Sequence, residues 1–286
     1  MRKGEIDSYN WAIQRIYLVC RVLGGLALNT DSMEYLLQKK EKFKFVSTGD
    51  GKEPLLLLHG LFGALSNFEG ILDYFGSKRT VVVPMLPIFE MPLRQVSVSG
   101  LVEHVAEFVA FMQFEKVHLL GNSLGGHIGL LYALEHPEKI ASITLTGSSG
   151  LFENAMGSSF PPRSNYEFIK KKTEATFYNP ATASKELVDE VFESVNDRNK
   201  VIRILATAKS AIRHNLSDKL HEIKAPTLLV WGNQDTITPP FVGEKFKELI
   251  PHAELFLVDQ CGHAPMMEQS VQFNEILERF LNKVGE

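Results

Sequence analysis

From residue 43 onward two kinds of apolar pattern alternate along the chain. Short continuous runs of Val, Leu and Ile predict strands at 43–47, 55–59 ("LLLLH"), 80–84 ("TVVVP"), 116–121, 140–146, 226–231 and 254–258. Such unbroken runs are expected of strands buried on both faces. Between them, apolar residues recur at helical spacing over 66–75, 98–113, 124–136, 241–250 and 269–283. Strands alternating with helices predict an α/β fold, a mainly parallel central sheet flanked by helices. The alternation breaks between about 150 and 220, where "SSGLFENAMGSSFPPRSN" leads into charged amphipathic helices and no strand follows until Pro226. The chain therefore divides into a sheet-forming core, 41–149 and 221–286, a helical insertion at 150–220, and an N-terminal helical extension at 1–40. No internal repeat or low-complexity tract is present.

The N-terminal run "IQRIYLVCRVLGGLAL" is too short to span a bilayer and is interrupted by Arg21. Arg2 and Lys3 suit a signal peptide, but Asp7 and Arg21 do not. It reads as an amphipathic helix packed on the domain or forming a homodimer contact. An interfacial membrane helix is the alternative, since Trp11, Tyr17 and a basic face are its ingredients. An apolar content of 44%, a charged content of 22% and a net charge of −4 are ordinary globular values. They give no electrostatic case for nucleic acid as a partner. Cys20 and Cys261 make neither a disulfide framework nor a CxxC pair, which suits a reducing, cytoplasmic compartment.

The chemistry is concentrated in "KVHLLGNSLGGHIGLLYALEHP", residues 116–137. A strand stops at Gly121-Asn122-Ser123-Leu124-Gly125, and a helix follows at once. G-x-S-x-G between strand and helix is a nucleophile turn. The turn is so tight that its middle residue takes strained angles, and a side chain at either flanking position would collide with crossing backbone. That lifts the Ser123 hydroxyl to the carboxyl end of the sheet, where open parallel sheets bind ligands. The Leu124 amide, at the helix N-terminus, would face a developing oxyanion.

A serine hydroxyl needs a base, and the base needs an orienting acid. "LLVWGNQDTITPP" places Asp235 just beyond one late strand, and "LFLVDQCGHAPMMEQ" places His263 just beyond the next. Asp259 is a rival acid, but its place immediately after a strand and four residues before His263 suits a turn. In "LLLLHGLFGALSNF" the bare Gly60 lets the backbone fold so that the Leu61 amide, or alternatively that of Phe62, becomes the second oxyanion donor. His59 reads as a support for that loop. The remaining histidines lack metal-ligand spacing and no G-x-G-x-x-G follows a strand, so neither a metal nor a nucleotide cofactor is expected.

The segments "HGLFG", "GNSLGG", "WGNQDTITP" and "CGHAPMMEQ" resemble those of the α/β-hydrolase superfamily, over about residues 43 to 285. The order Ser, Asp, His is the one that fold uses. The resemblance implies an α/β-hydrolase fold whose insertion is a helical cap over the pocket. "GNSLGGHIGLLYALEHPEKIASITLTGSSG" is similar to the meta-cleavage-product hydrolases, which break carbon–carbon bonds, whereas "HGLFG" is more similar to small carboxylesterases. Relatives that use Asp as nucleophile are excluded by Ser123. The expectation is a serine hydrolase with a small-molecule substrate, a carboxylic ester of small or medium acyl size. The alternatives are a C–C bond hydrolase and a non-catalytic receptor or interaction module on the same fold. Phe62, Leu151, Phe152, Met156, Met266 and Met267 are candidates for the pocket lining. Arg163, Arg198, Arg203 and Arg213 are candidates to hold a substrate carboxylate.

Overall fold

The computed structural model describes residues 35–63, 65–152 and 162–285, so the expected N-terminal helix and Met156 lie outside the described residues. The strands are β1 (Gln38–Lys40), β2 (Phe43–Ser47), β3 (Leu55–Leu58), β4 (Val81–Pro84), β5 (Val117–Asn122), β6 (Ile140–Thr146), β7 (Thr227–Gly232) and β8 (Glu254–Val258). Among the described residues they form one sheet in the order β1-β2-β4-β3-β5-β6-β7-β8. From β4 to β8 all neighbours run parallel, while β1–β2 and β2–β4 are antiparallel. This is the mainly parallel, helix-flanked sheet that the alternation of runs predicts.

Residues 38–40, grouped by sequence with a helical extension, instead form β1, paired through Gln38↔Phe45. Their side chains are half-buried or exposed, so no apolar run marks the strand. Lysines on a short edge strand also discourage pairing with another chain.

Helices cover both faces. Alternate residues of β3 divide between two cores: Leu56 and Leu58 face one, Leu55 and Leu57 the other. The first core is closed by α2 (Val98–Phe111), α3 (Leu124–Glu135) and α7 (Pro240–Leu249), the second by α1 (Glu69–Phe75) and α9 (Ser270–Val284). Burial on two sides is why the strands carry continuous rather than alternating apolar runs.

Between β6 and β7 the insertion contributes α4 (Tyr166–Glu174), α5 (Lys185–Asn196) and α6 (Arg198–Arg213). Side chains set where all three begin. Asn165 accepts from the Phe168 amide, Ser184 from that of Leu187, and Asp197 from those of Asn199 and Lys200. The chain entering the insertion is bonded to the chain leaving it: Leu216 N–H donates to Gly150 O at 2.8 Å and Asn215 Nδ2 to Leu151 O at 3.1 Å. A four-residue helix, α8 (Pro265–Glu268), precedes α9.

The two-core arrangement makes a contrasting pair of leucines informative. Leu57 is fully buried in a central strand, and Leu257 is 40% exposed in β8. Leu57→Ala should lose about 2–5 kcal/mol in urea unfolding, the range for emptied core sites, and Leu257→Ala about 0.5 kcal/mol or less. Equal losses would refute the two-faced burial of β3.

Candidate active site

The sheet changes direction of winding between β3 and β5. Their parallel register, Leu58↔Gly121, brings two carboxyl ends side by side while the chain departs from them to opposite sides. A crevice forms there, where open α/β sheets take ligands. From β3 the chain runs through His59-Gly60-Leu61, and from β5 it turns at Ser123.

Ser123 has φ 54° and ψ −120°, angles a non-glycine residue adopts only under constraint. The constraint is a set of backbone bonds. Its N–H donates to Thr146 O at 3.1 Å, and its carbonyl accepts from the amides of Gly126 (3.0 Å), Ser149 (3.2 Å) and His127 (3.3 Å). The flanking glycines are needed for close approach. A Cβ on Gly121 would meet the Gly126 Cα at 2.5 Å, and one on Gly125 would meet Leu58 O at 2.0 Å. Leu124 opens α3, so its amide belongs to the free N-terminal turn. Ser123 is half-buried while Asn122 and Leu124 on either side are buried.

Beyond β7, Asp235 is 3% exposed and its carboxylate is surrounded by donors. Oδ1 accepts from the Ile237 amide at 2.8 Å and the Thr238 amide at 3.0 Å; Oδ2 accepts from Thr238 Oγ1 at 2.9 Å and from His263 Nδ1–H at 2.9 Å. Four donors replace the water that a buried carboxylate has lost. With its Nδ1 proton given to Asp235, the 7%-exposed His263 keeps Nε2 as a bare acceptor. Asp259, by contrast, is exposed and accepts from Asn233.

Two further side chains hold this pair and were not singled out from the sequence. Thr238 donates to Asp235, and its own carbonyl accepts from Trp231 Nε1 at 2.7 Å. Asn122, 4% exposed, donates through Nδ2 to Thr146 O at 3.0 Å and to His263 O at 3.2 Å. The residue before Ser123 thus ties the histidine loop to the serine strand.

Gly60 crosses directly over Ser123, where a Cβ would stand 3.3 Å from the serine Cβ. His59 is tied at both ring nitrogens: Nδ1–H donates to Gly60 O at 2.8 Å, and Nε2 accepts from the Leu86 amide at 2.9 Å. Its burial pushes its pKa down, and it pins the loop to the stretch after β4. Leu61 and Phe62 line a cleft of about 280 Å³ shared with Met85, Ile88, Phe89 and Ser194.

The other lining candidates scatter. Phe152 and Leu151 border a different cleft of about 340 Å³, with the Phe152 ring edge-on to Phe241 at 5.4 Å. Met266 is 1% exposed and packed in the core beneath the sheet, with Met267 against the same cluster. Arg163, Arg198 and Arg213 are exposed, and Arg203 spends its donors on Met91 O and Asn199 O, both at 3.1 Å. Among the described residues no three His, Cys, Asp or Glu side chains gather to hold a metal ion. No helix among them is long and apolar enough to cross a membrane.

Comparison with known proteins identifies the family. The pattern of the alpha/beta hydrolase family matches residues 55–276. The structure superposes with a TM-score of 0.73 on an α/β-hydrolase enzyme from the metagenome of sediments of the Mar Chica lagoon, Morocco. That enzyme is 41% identical, over 88% of this chain and 100% of that one. The 2-hydroxy-6-oxononadienedioate/2-hydroxy-6-oxononatrienedioate hydrolase of Paraburkholderia phymatum is 29% identical over 261 residues, 82% of this chain and 89% of that protein. The dihydrolipoyllysine-residue acetyltransferase component of the acetoin cleaving system of Pseudomonas putida is 29% identical over 246 residues. The match takes in 82% of this chain but only 65% of that longer protein's length. Family pattern and fold agree: the chain belongs to the α/β-hydrolase family and is a hydrolase.

Proposed function

We propose that the protein is a serine carboxylesterase for uncharged esters of small or medium acyl size. The observation that carries this reading is the buried Asp235–His263 bond of 2.9 Å, on the same carboxyl edge of the sheet as the strained Ser123 turn. His263 Nε2 takes the Ser123 proton as Oγ attacks the ester carbonyl. Asp235 holds the imidazole in the Nδ1–H tautomer and stabilises the imidazolium that forms. The amides of Leu124 and Leu61 receive the oxyanion, each donor worth about 3–4 kcal/mol in comparable sites. His263 then protonates the leaving alcohol and activates the deacylating water. The insertion acts as the cap over this site.

The uncharged substrate class is supported by the cleft beside Leu61, which adjoins the site through the Gly60–Leu61 loop although Ser123 and His263 are not among its lining residues. Its lining is mainly apolar, and its charged members are two carboxylates, Glu90 and Glu190, against one cation, Lys44. Lys44 already pairs with Glu90 at 2.7 Å. None of the four insertion arginines is among the residues lining it. A substrate carboxylate would enter without a free partner, at the cost of desolvating a charge. The second reading, C–C bond hydrolysis of a dienone acid by the same three residues, is supported by the name of the Paraburkholderia relative and needs such a partner.

Hydrolysis of p-nitrophenyl esters from acetyl to decanoyl checks the reaction. Wild-type turnover with a loss of up to about 10⁶-fold in kcat for Ser123→Ala is expected. Faster cleavage of dienone acids than of every ester would move the assignment to the second reading, and ligand binding without any turnover would make the protein a receptor.

Asp235→Asn keeps the shape of the acid but reverses the tautomer preference of His263, and should lower kcat by about 10⁴-fold. A loss under tenfold would exclude Asp235 as the orienting acid.

A further inference from the structure

The insertion touches the proposed base through main-chain bonds. Just past α4, three residues in four are engaged with the loops that carry the acid and the base. Ala175 O accepts from Thr236 Oγ1 at 3.1 Å, beside Asp235. Thr176 O accepts from the His263 amide at 2.9 Å. The Tyr178 amide donates to Glu268 Oε2 at 2.7 Å. Close approach is possible because position 262 is glycine, where a Cβ would stand 2.6 Å from Thr176 O and 2.9 Å from Tyr178 N.

Glu268 lies at the join. Its Oε1 accepts from the Gly262 amide at 2.9 Å, while Oε2 takes that of Tyr178. Burial raises its pKa, and the amides of Tyr178, Gly262, Ala264 and Asn179 oppose that rise by favouring the charged form. The carboxylate is thus set among four amides, Gly262 and Ala264 on either side of His263, and Tyr178 and Asn179 from the insertion. None of the sequence motifs assigned it a role, and the reaction proposed above does not use it.

We infer that Glu268 is a positioning residue for His263, locking residues 176–178 of the insertion to the histidine loop so that the insertion itself sets the backbone of the base. The inference rests on the reading of His263 as general base. A neutral amide at 268 offers one acceptor oxygen and turns its NH₂ toward one of the two N–H groups. A methyl offers nothing. The loop then loses its hold on Thr176 O, and the His263 ring drifts from Asp235 without any change in the residues that touch substrate.

The test compares full-length wild type, Glu268→Gln and Glu268→Ala, with active sites counted by a fluorophosphonate that labels Ser123. Per labelled site, kcat is expected to fall about tenfold for Gln and about a hundredfold for Ala, with KM changed less than about threefold, as for an interaction felt in the transition state. A normal kcat per site and only a lower Tm would overturn the inference and leave Glu268 a packing residue. Should the wild type take no label and turn over no ester, the reading of His263 fails separately. The lock is then read by hydrogen exchange in Glu268→Gln. Faster exchange together at 176–178 and 261–264 supports it, and unchanged exchange refutes it.

Discussion

The parallel pairing of β3 with β5 is the constraint from which the rest of the site follows. With Leu58 level with Gly121, both strands end at the same height, one releasing the Gly60–Leu61 loop and the other the Ser123 turn. The helix that leaves Ser123 must cross back over the end of β3. Gly125 consequently sits against Leu58 O with no room for a Cβ. Shift that register by one residue and the turn loses its neighbours, because every side chain of the strand would change faces.

Angles like those of Ser123 cost about 1–3 kcal/mol. Each backbone hydrogen bond returns about 0.5–1.5 kcal/mol net, and four of them converge on this one residue. They come from the end of β6, from the loop after it and from the first turn of α3. The strain is therefore balanced by three separate segments, none of which can relax alone. Asn122 extends the same brace to the far side by bonding both Thr146 O and His263 O. The serine and histidine loops are held in common, although 139 residues of chain separate Asn122 from Gly262, the neighbour of His263.

What could be read in the sequence was what the local backbone dictates. Mainly apolar runs marked seven of the eight strands to within a residue or so, most plainly β3 and β4, where burial on two faces leaves no polar positions. The elbow was legible because its glycines answer to a clash within one strand–turn–helix unit. Asp235 and His263 could be found because each follows a strand by a few residues. β1 was missed for the opposite reason: "QKK" lies at the sheet edge and buries little. Asn122 and Glu268 were missed because their bonds reach residues distant in sequence, His263 and Tyr178. Thr238 stands three residues from Asp235, but a threonine in a turn carries no signal of the carboxylate it serves. Met266 could not be told from a pocket residue, since a methionine packed in a core and one facing a ligand have the same composition signal. The insertion arginines likewise showed charge but not direction, and Arg203 turned out to serve two carbonyls.

The contacts between the insertion and His263 differ from those of the core in what they demand of the sequence. Ala175 and Thr176 offer carbonyls, and Tyr178 offers an amide. Every residue type supplies the first and every type except proline the second. Their side chains can change without disturbing the bonds. The specific requirements fall on the core side instead, on Gly262 for clearance and on Glu268 for a carboxylate of the right reach. An insertion joined this way can alter the residues it presents to a substrate while continuing to hold the histidine loop. Under the proposed function, the placement of the base is thereby independent of which side chains follow α4.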